Sequence, residues 1–117
     1  MVSISTFIYF NDGKSELTIN GNGIYINGEY VGYIYVSTTD VVILYFRKYN
    51  KKFWKKFYSL HCDAIGTALS MGANVLYGYS PQFTNRNDAI TWLNAVKDDV
   101  IKTYYTVCTN DNTMDYI

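Results

Sequence analysis

Three neighbouring side chains, His61-Cys62-Asp63, are of the types that build nucleophilic or acid–base sites. A catalytic thiol needs an imidazole within hydrogen-bond reach and a third group that orients this imidazole. The surrounding pattern predicts a helix, in which neighbouring side chains point about 100° apart, so His61 and Cys62 cannot pair there. His61 is also the single histidine of the chain, which favours a hydrogen-bonded core histidine. We therefore expect no catalytic residues and no enzyme.

Acidic residues, glycines and cysteines do not form a binding motif either. The Asp and Glu residues lack the spacing of a metal-binding loop. No helix directly follows the glycine cluster Gly21, Gly23 and Gly28, as a phosphate- or dinucleotide-binding loop would require. Cys62 and Cys108 are too few for a disulfide framework and lack metal-ligand spacing. The sequence thus predicts no metal, no cofactor and two free thiols, which favours the cytoplasm, or the host cell cytoplasm if the protein is viral.

One segment, residues 47–56 (RKYNKKFWKK), holds six of the ten basic residues. The stretches before and after it each carry a formal charge of −3, so the net charge of zero describes a bipolar chain. Lysines at the start of a helix oppose its dipole, which favours a site for an anion or an acidic partner. Lysines that only solubilise a surface helix are the alternative interpretation. The candidate partner- or anion-binding residues are Arg47, Lys48, Lys51, Lys52, Lys55 and Lys56.

Thirteen tyrosines in 117 residues are the second anomaly of composition. Side chains alternate between the two faces of a strand, so the tyrosines of the predicted strands cannot all face the helices. Tyrosine combines a large apolar area with a hydroxyl and is enriched at interfaces, although β propensity alone also places it in strands. The candidate aromatic interface consists of Tyr25, Tyr30, Tyr33 and Tyr35.

A sheet and two helices must position these residues. Alternating apolar residues and turn signals predict strands at 2–10, 16–20, 29–37, 41–48 and 73–79. Asn11-Asp12-Gly13-Lys14 and Asn27-Gly28 are typical of tight hairpins, the second of which would place Ile26 opposite Glu29, Tyr25 opposite Tyr30 and Ile24 opposite Val31. The strand at 41–48 carries large side chains on both faces, which predicts a central position.

Helical periodicity predicts one helix capped by Asn50 and ended by Gly72, with Phe57, Leu60 and Ala64 on its apolar face. A second helix begins after Asn85 or Asn87 and buries Trp92 and Val96. The expected fold is α+β: a mostly antiparallel sheet of five to six strands, beginning with an N-terminal meander of hairpins, with two amphipathic helices packed on one face.

Length and composition are those of one soluble domain spanning residues 1–117, with 49% hydrophobic residues and no membrane span. We expect a small non-catalytic binding protein that docks on another macromolecule, and a protein is the favoured partner. Its partner would be an acidic protein surface or nucleic acid. The excess of lysine over arginine, eight to two, with abundant Asn, Ile and Tyr suggests A/T-rich coding, which associates the chain with phage or mobile-element inhibitors and host-interaction proteins. The alternative is a nucleic-acid-binding protein that uses the basic-aromatic segment 47–56.

Overall fold

The computed structural model describes residues 15–109, which form an α+β fold. Its antiparallel sheet has the order β1-β2-β3-β4, with the strands β1 (Leu17–Asn20), β2 (Gly23–Ile26), β3 (Glu29–Val36) and β4 (Val42–Phe46). The helices are α1 (Asn50–Leu60), α2 (Cys62–Ser70), α3 (Arg86–Ala95) and α4 (Lys97–Thr109). The α+β class and the antiparallel sheet are confirmed. The described residues contain four strands and four helices, whereas we expected five to six strands and two helices; the predicted strand at 2–10 and turn at 11–14 lie outside them.

The β2–β3 hairpin turns at Asn27-Gly28 as predicted. Both turn residues have positive φ, 52° and 82°, as a two-residue turn of this type requires. Ile26 pairs with Glu29 and Tyr25 with Tyr30, but a bulge follows, so that Ile24 lies opposite Gly32 and not opposite Val31. The extra residue at the bulge shifts the alternation of side chains by one position. Val31 is therefore buried, and Tyr33 and Tyr35 point to the same side of the sheet as Tyr30.

Strand β4 ends the order of the four described strands, so the prediction of a central position is wrong for this part of the chain. Its large side chains on both faces reflect a core on one side and an aromatic layer on the other. The outer edge of β4 is nevertheless closed, because three alternate N–H groups that point away from β3 all donate hydrogen bonds. These bonds run from Val42 to the Phe83 carbonyl (2.8 Å), from Leu44 to Ser80 Oγ (3.0 Å) and from Phe46 to Asn50 Oδ1 (2.8 Å).

The predicted helix after β4 is two helices, α1 and α2, broken at His61 (φ −130°, ψ 61°). No proline or glycine stands at the break. Tertiary contacts hold α2 in its new direction instead, because the Trp92 indole donates to the Ala64 carbonyl at 2.8 Å and His61 lies beside Asp99 of α4. The change of direction leaves Leu60, expected in the core, 56% exposed.

The caps of these helices only partly follow the prediction. Tyr49, in the left-handed region (φ 55°), precedes α1, while Asn50 turns its side chain to the Phe46 N–H and the Trp54 indole. Asn85 caps α3 as predicted by accepting from the Asp88 N–H at 2.8 Å. The second predicted helix bends at buried Val96, which separates α3 from α4 although hydrogen bonds continue through it.

The segment 73–79 is not a strand, so this prediction is wrong. Only Asn74 makes a bridge, to Gln82, and the Tyr79 N–H closes a turn on the Leu76 carbonyl at 3.0 Å. The physical reason is Gly78, whose φ of 88° directs the chain into a loop that returns toward β4.

The core lies between the helices and one face of the sheet. Phe46 of β4 contacts both Phe53 and Trp54 of α1, at ring-centroid distances of 4.2 and 5.8 Å. Trp92 of α3 stacks on Trp54 at 6.2 Å, and all four side chains are fully buried. Because every described helix packs from this side, the opposite face of the sheet carries no helix. None of the helices within residues 15–109 combines the length and the apolarity needed to cross a membrane.

Candidate functional site

The outer face of the sheet displays five tyrosines, which we call the tyrosine face. The inward partners in each strand, such as Ile24, Ile34 and Leu44, are fully or nearly fully buried, so the alternate side chains point outward. Three of the five, Tyr30, Tyr35 and Tyr45, are 39%, 51% and 39% exposed. The tyrosine face comprises Tyr25, Tyr30, Tyr33, Tyr35 and Tyr45.

Cross-strand pairing orders the rings of the tyrosine face. Tyr25 and Tyr30 have ring centroids 5.5 Å apart, and Tyr33 and Tyr45 are 5.3 Å apart. Gly23 leaves room for the first pair, because a Cβ there would lie 2.9 Å from the Tyr25 ring. Such tilted aromatic pairs add about 0.5–1.5 kcal/mol beyond area burial. The face is therefore a built layer rather than a set of independent side chains.

Arg47 extends this layer with one cation. Its guanidinium carbon lies 4.7 Å from the centroid of the Tyr30 ring, and its Nη1 donates to the Tyr30 carbonyl at 3.1 Å. The two contacts hold the charge over the end of the sheet. The sequence placed Arg47 with the lysines, but the structure places it with the tyrosines.

The hairpin turns that carry the tyrosine face are tied to the helices. Arg86 at the start of α3 donates to the Gly21 carbonyl and, at 2.8 Å, to Asn22 Oδ1. At the other turn, the Asn27 amide donates to the Tyr105 hydroxyl of α4 at 3.2 Å. These ties join residues 64 to 78 positions apart, and they fix the sheet relative to the helix layer.

The basic segment does not form one continuous patch. Lys48 and Lys56 are exposed, while Lys52 is half-buried with its ammonium 5.8 Å from the Tyr49 ring centroid. Lys52 is thus only partly exposed, because its side chain folds back on the residue that precedes α1. The aromatic members Phe53 and Trp54 are fully buried, so they are part of the core.

Lys51 and Lys55 meet a loop that sequence analysis did not select. Gly78 lies against their aliphatic stems: a Cβ on it would be 3.7 Å from Lys55 Cγ and 3.8 Å from Lys51 Cγ. The Lys55 ammonium is 6.0 Å from the Tyr77 ring centroid. We call this group the lysine–loop surface, and it comprises Lys51, Lys55, Leu76, Tyr77 and Tyr79. In the sequence, this loop corresponds to the apolar run VLYGY before Ser80-Pro81, a pattern that also predicts a strand.

Tyr58 of α1 holds the loop of the lysine–loop surface in place. Its hydroxyl donates to the Tyr79 carbonyl, and its ring is 6.0 Å from the Tyr77 ring. Burial raises the pKa of Tyr58 to about 12, and the nearby backbone of Leu76 opposes part of this rise. Burial likewise raises the pKa of Tyr104 in the core. The Tyr58 hydroxyl is thus a neutral donor that holds the loop.

The structure brings His61, Cys62, Asp63 and Asp99 around an open cavity of about 390 Å³. His61 Nδ1 is 3.5 Å from Asp99 Oδ1, so an orienting carboxylate exists that the sequence did not predict. Cys62, however, directs its thiol to the Tyr58 carbonyl at 3.8 Å, and within residues 15–109 nothing hydrogen-bonds to His61 Nε2. A thiolate–imidazole pair is therefore not assembled. Neither Cys62 nor Cys108 forms a disulfide within the described residues.

In the described part of the chain, no group of three or more His, Cys, Asp or Glu residues is placed to hold a metal ion. No family model, curated protein or solved structure matches this chain. Its function is therefore inferred from the tyrosine face and the lysine–loop surface themselves.

Proposed function

We propose that this protein is a non-catalytic binding protein that docks on another protein through the tyrosine face. The observation that carries the proposal is the side-by-side placement of five tyrosines and Arg47 on a sheet face that no described helix covers. Tyrosine and arginine are enriched at protein interfaces and at their energetic hot spots. Tyrosine contributes a large contact area while losing little conformational entropy.

The fixed geometry of the face favours tight docking. Ring pairing and the ties from Arg86 and Tyr105 hold the sheet in one arrangement. A preorganised surface loses less side-chain and loop entropy when it binds. The same geometry gives the partner a flat, partly polar surface whose hydroxyls supply directional hydrogen bonds.

Nucleic-acid binding through segment 47–56 is the second candidate, supported by the exposed lysines of α1. Bases would need aromatic rings to stack on, and Phe53 and Trp54 of this segment are fully buried. The tyrosine face could stack bases, but among residues 15–109 Arg47 is the one cation found against its rings. A protein partner therefore has the stronger support.

The biological setting is also part of the proposal. The lysine-rich, arginine-poor composition supports a phage or mobile-element protein that inhibits or recruits a host protein in the host cytoplasm. This part rests on coding bias alone and is separable from the docking surface.

The test is capture from lysates of low-GC bacteria, followed by remeasurement with the purified candidate. Replacing both Tyr35 and Tyr45 by serine should weaken the affinity by at least about tenfold, since removing two exposed rings deletes interface area. The control is Leu69→Ser, which changes a large exposed side chain of α2 that belongs to neither the tyrosine face nor the lysine–loop surface. Equal affinity of the double variant and the unmodified protein would remove the tyrosine face from the binding site.

A further inference from the structure

The loop of the lysine–loop surface exposes three large apolar side chains within four residues. Leu76, Tyr77 and Tyr79 are 57%, 60% and 48% exposed. Contiguous exposed apolar groups on a folded domain mark interaction sites more often than chance. The exposure is independent of the tyrosine face, because these residues lie on the connection between α2 and α3.

The loop is held firmly while it exposes these side chains. Asn74 and Gln82 exchange two backbone hydrogen bonds of 3.0 and 2.8 Å at its base. Buried Ser80 accepts from the Leu44 N–H at 3.0 Å, and Tyr58 donates to the Tyr79 carbonyl. The apolar groups are therefore presented in a fixed arrangement, which lowers the entropy lost on docking.

The charge beside the loop has one sign. Lys51 and Lys55 lie one helical turn apart, and their stems are packed on Gly78. No carboxylate of residues 15–109 lies within 4 Å of either ammonium. The chain stretches that build the surface, residues 41–62 and 64–87, contain no Asp or Glu. Within the described part of the chain, the two cations beside the three apolar groups thus have no carboxylate within 4 Å.

We propose that the lysine–loop surface is a second interaction surface, which docks an acidic segment of a partner protein. An apolar side chain of that segment would rest on Leu76 and Tyr77. Carboxylates about 6 Å apart would meet Lys51 and Lys55, since side chains four residues apart on a helix are separated by about that distance. An apolar centre with a charged rim is the usual anatomy of a protein interface.

A protein fits this surface better than nucleic acid does. Leu76 offers no stacking plane, and nucleic-acid interfaces are dominated by phosphate contacts and are more polar than protein interfaces. Only the Tyr77 ring stands near a cation here, with the Lys55 ammonium 6.0 Å from its centroid. The surface thus lacks the row of aromatic platforms typical of single-strand binding.

Selection from a random dodecamer peptide display library tests the proposal. We expect the enriched peptides to contain paired Asp or Glu residues around an apolar residue. A synthetic peptide of the enriched sequence should bind at least about tenfold more weakly to Lys51→Glu/Lys55→Glu than to the unmodified protein, as measured by fluorescence anisotropy. Tyr77→Ser should also weaken this binding.

The matched charge control is Lys97→Glu/Lys102→Glu, which makes the same change of net charge at exposed sites on α4. It should leave the peptide affinity unchanged. If a glutamate variant unfolds, Lys51→Gln/Lys55→Gln serves in its place. The proposal is overturned if no peptide is enriched, if the enriched peptides have no acidic bias, or if both double variants weaken binding equally.

Titration with oligothymidylate and oligouridylate tests the alternative that the lysine–loop surface binds nucleic acid. If they bind more tightly than the peptide, and the Lys51 and Lys55 variants abolish this binding, the surface belongs to nucleic acid and the proposal is wrong. Repeating the peptide titration on Tyr35→Ser/Tyr45→Ser separates the two surfaces. Unchanged peptide binding there supports an independent second surface even if the tyrosine face binds nothing, whereas loss there assigns the peptide to the tyrosine face and overturns the proposal.

Discussion

Trp92 is the residue on which most of the core converges. Its ring contacts Trp54, Phe57 and Phe83 at 5.7 to 6.2 Å, and its indole N–H satisfies the Ala64 carbonyl. One side chain thereby joins α1, α2, α3 and the segment that borders β4. Burial of this residue and of Phe57 was predicted from helical periodicity and is confirmed.

We expect Trp92→Ala to lower the free energy of unfolding by about 3–5 kcal/mol, since it leaves a cavity and removes the indole hydrogen bond to the Ala64 carbonyl. Urea unfolding followed by circular dichroism measures this loss. Leu60→Ala is the control, because Leu60 is an apolar helix residue that is 56% exposed, and it should change stability by less than about 0.5 kcal/mol. A similar loss in both variants would mean that Trp92 does not occupy the core described above.

Tyr58 gives the fold a dependence on alkaline pH. Its pKa of about 12 lies above the value of 10.0 of an unperturbed tyrosine. The unfolded chain therefore ionises first, and the contribution of Tyr58 to stability is complete below pH 10 and is lost as the pH rises from 10 towards 12. We expect Tyr58→Phe to flatten this decline. Unfolding curves of both proteins between pH 9 and 11 measure the difference, and parallel declines would contradict the assignment.

At the scale of elements, the sequence predicted what local patterns determine. The Asn27-Gly28 turn, the Asn85 cap and the apolar stripe of α3 and α4 all follow from short-range signals and are confirmed. The break at His61 could not be predicted, since it depends on contacts with Trp92 and Asp99 that are distant in the chain. The loop at 73–79 was missed because its apolar run also fits a strand.

The candidate site likewise combines features that local sequence patterns predict with features that depend on tertiary contacts. Alternation predicted that the tyrosines of the strands cannot all face the helices, but it was the bulge in β3 that placed Tyr33 and Tyr35 on the same side as Tyr30. The role of these tyrosines in an interface stays a prediction. The lysine–loop surface depends on a tertiary contact, the packing of Gly78 on Lys51 and Lys55. No periodicity within α1 contains that information.

Gly32 in β3 and Gly66 in α2 differ in the space available for a side chain, and alanine substitutions test this difference. A Cβ on Gly32 of β3 would collide with the Tyr45 carbonyl oxygen and lie 3.2 Å from Phe46 Cα, whereas a Cβ on Gly66 of α2 meets nothing within 4 Å. We expect Gly32→Ala to destabilise the protein by about 1–3 kcal/mol. Gly66→Ala should stabilise it by about 0.4–1 kcal/mol. Thermal unfolding of the two variants measures both effects, and a stabilised Gly32→Ala would refute the β3–β4 register.

At the scale of the whole molecule, a net charge of zero conceals how the cations are distributed. The basic residues of segment 47–56 are dispersed: Arg47 lies beside the tyrosine face, and Lys51 and Lys55 belong to the lysine–loop surface. Lys52 is half-buried beside Tyr49, while Lys48 and Lys56 are exposed. Each surface therefore carries few charges, which suits specific docking more than long-range electrostatic attraction.

The fold should need neither a disulfide nor a metal ion. Cys62 and Cys108 form no disulfide within the described residues, and the described core is built from apolar side chains. We expect reductant and chelator together to shift the melting temperature by no more than a few degrees. Differential scanning calorimetry with and without both reagents provides the measurement, and a larger decrease would show that cysteine or metal chemistry supports the fold.

The closed edge of β4 has a consequence for how copies of this protein behave at high concentration. Open strand edges recruit further strands and so start ordered aggregation. Here Asn50, Ser80 and Phe83 occupy the outward N–H groups of β4, so an incoming strand finds no donors on that side. In a chain rich in tyrosine and β-branched residues, which are typical of amyloid-forming segments, the β4 edge is thus protected from such pairing. We expect the loss of the Ser80 or Asn50 side chain to free a β4 N–H group and to raise the tendency of the protein to self-associate through this edge.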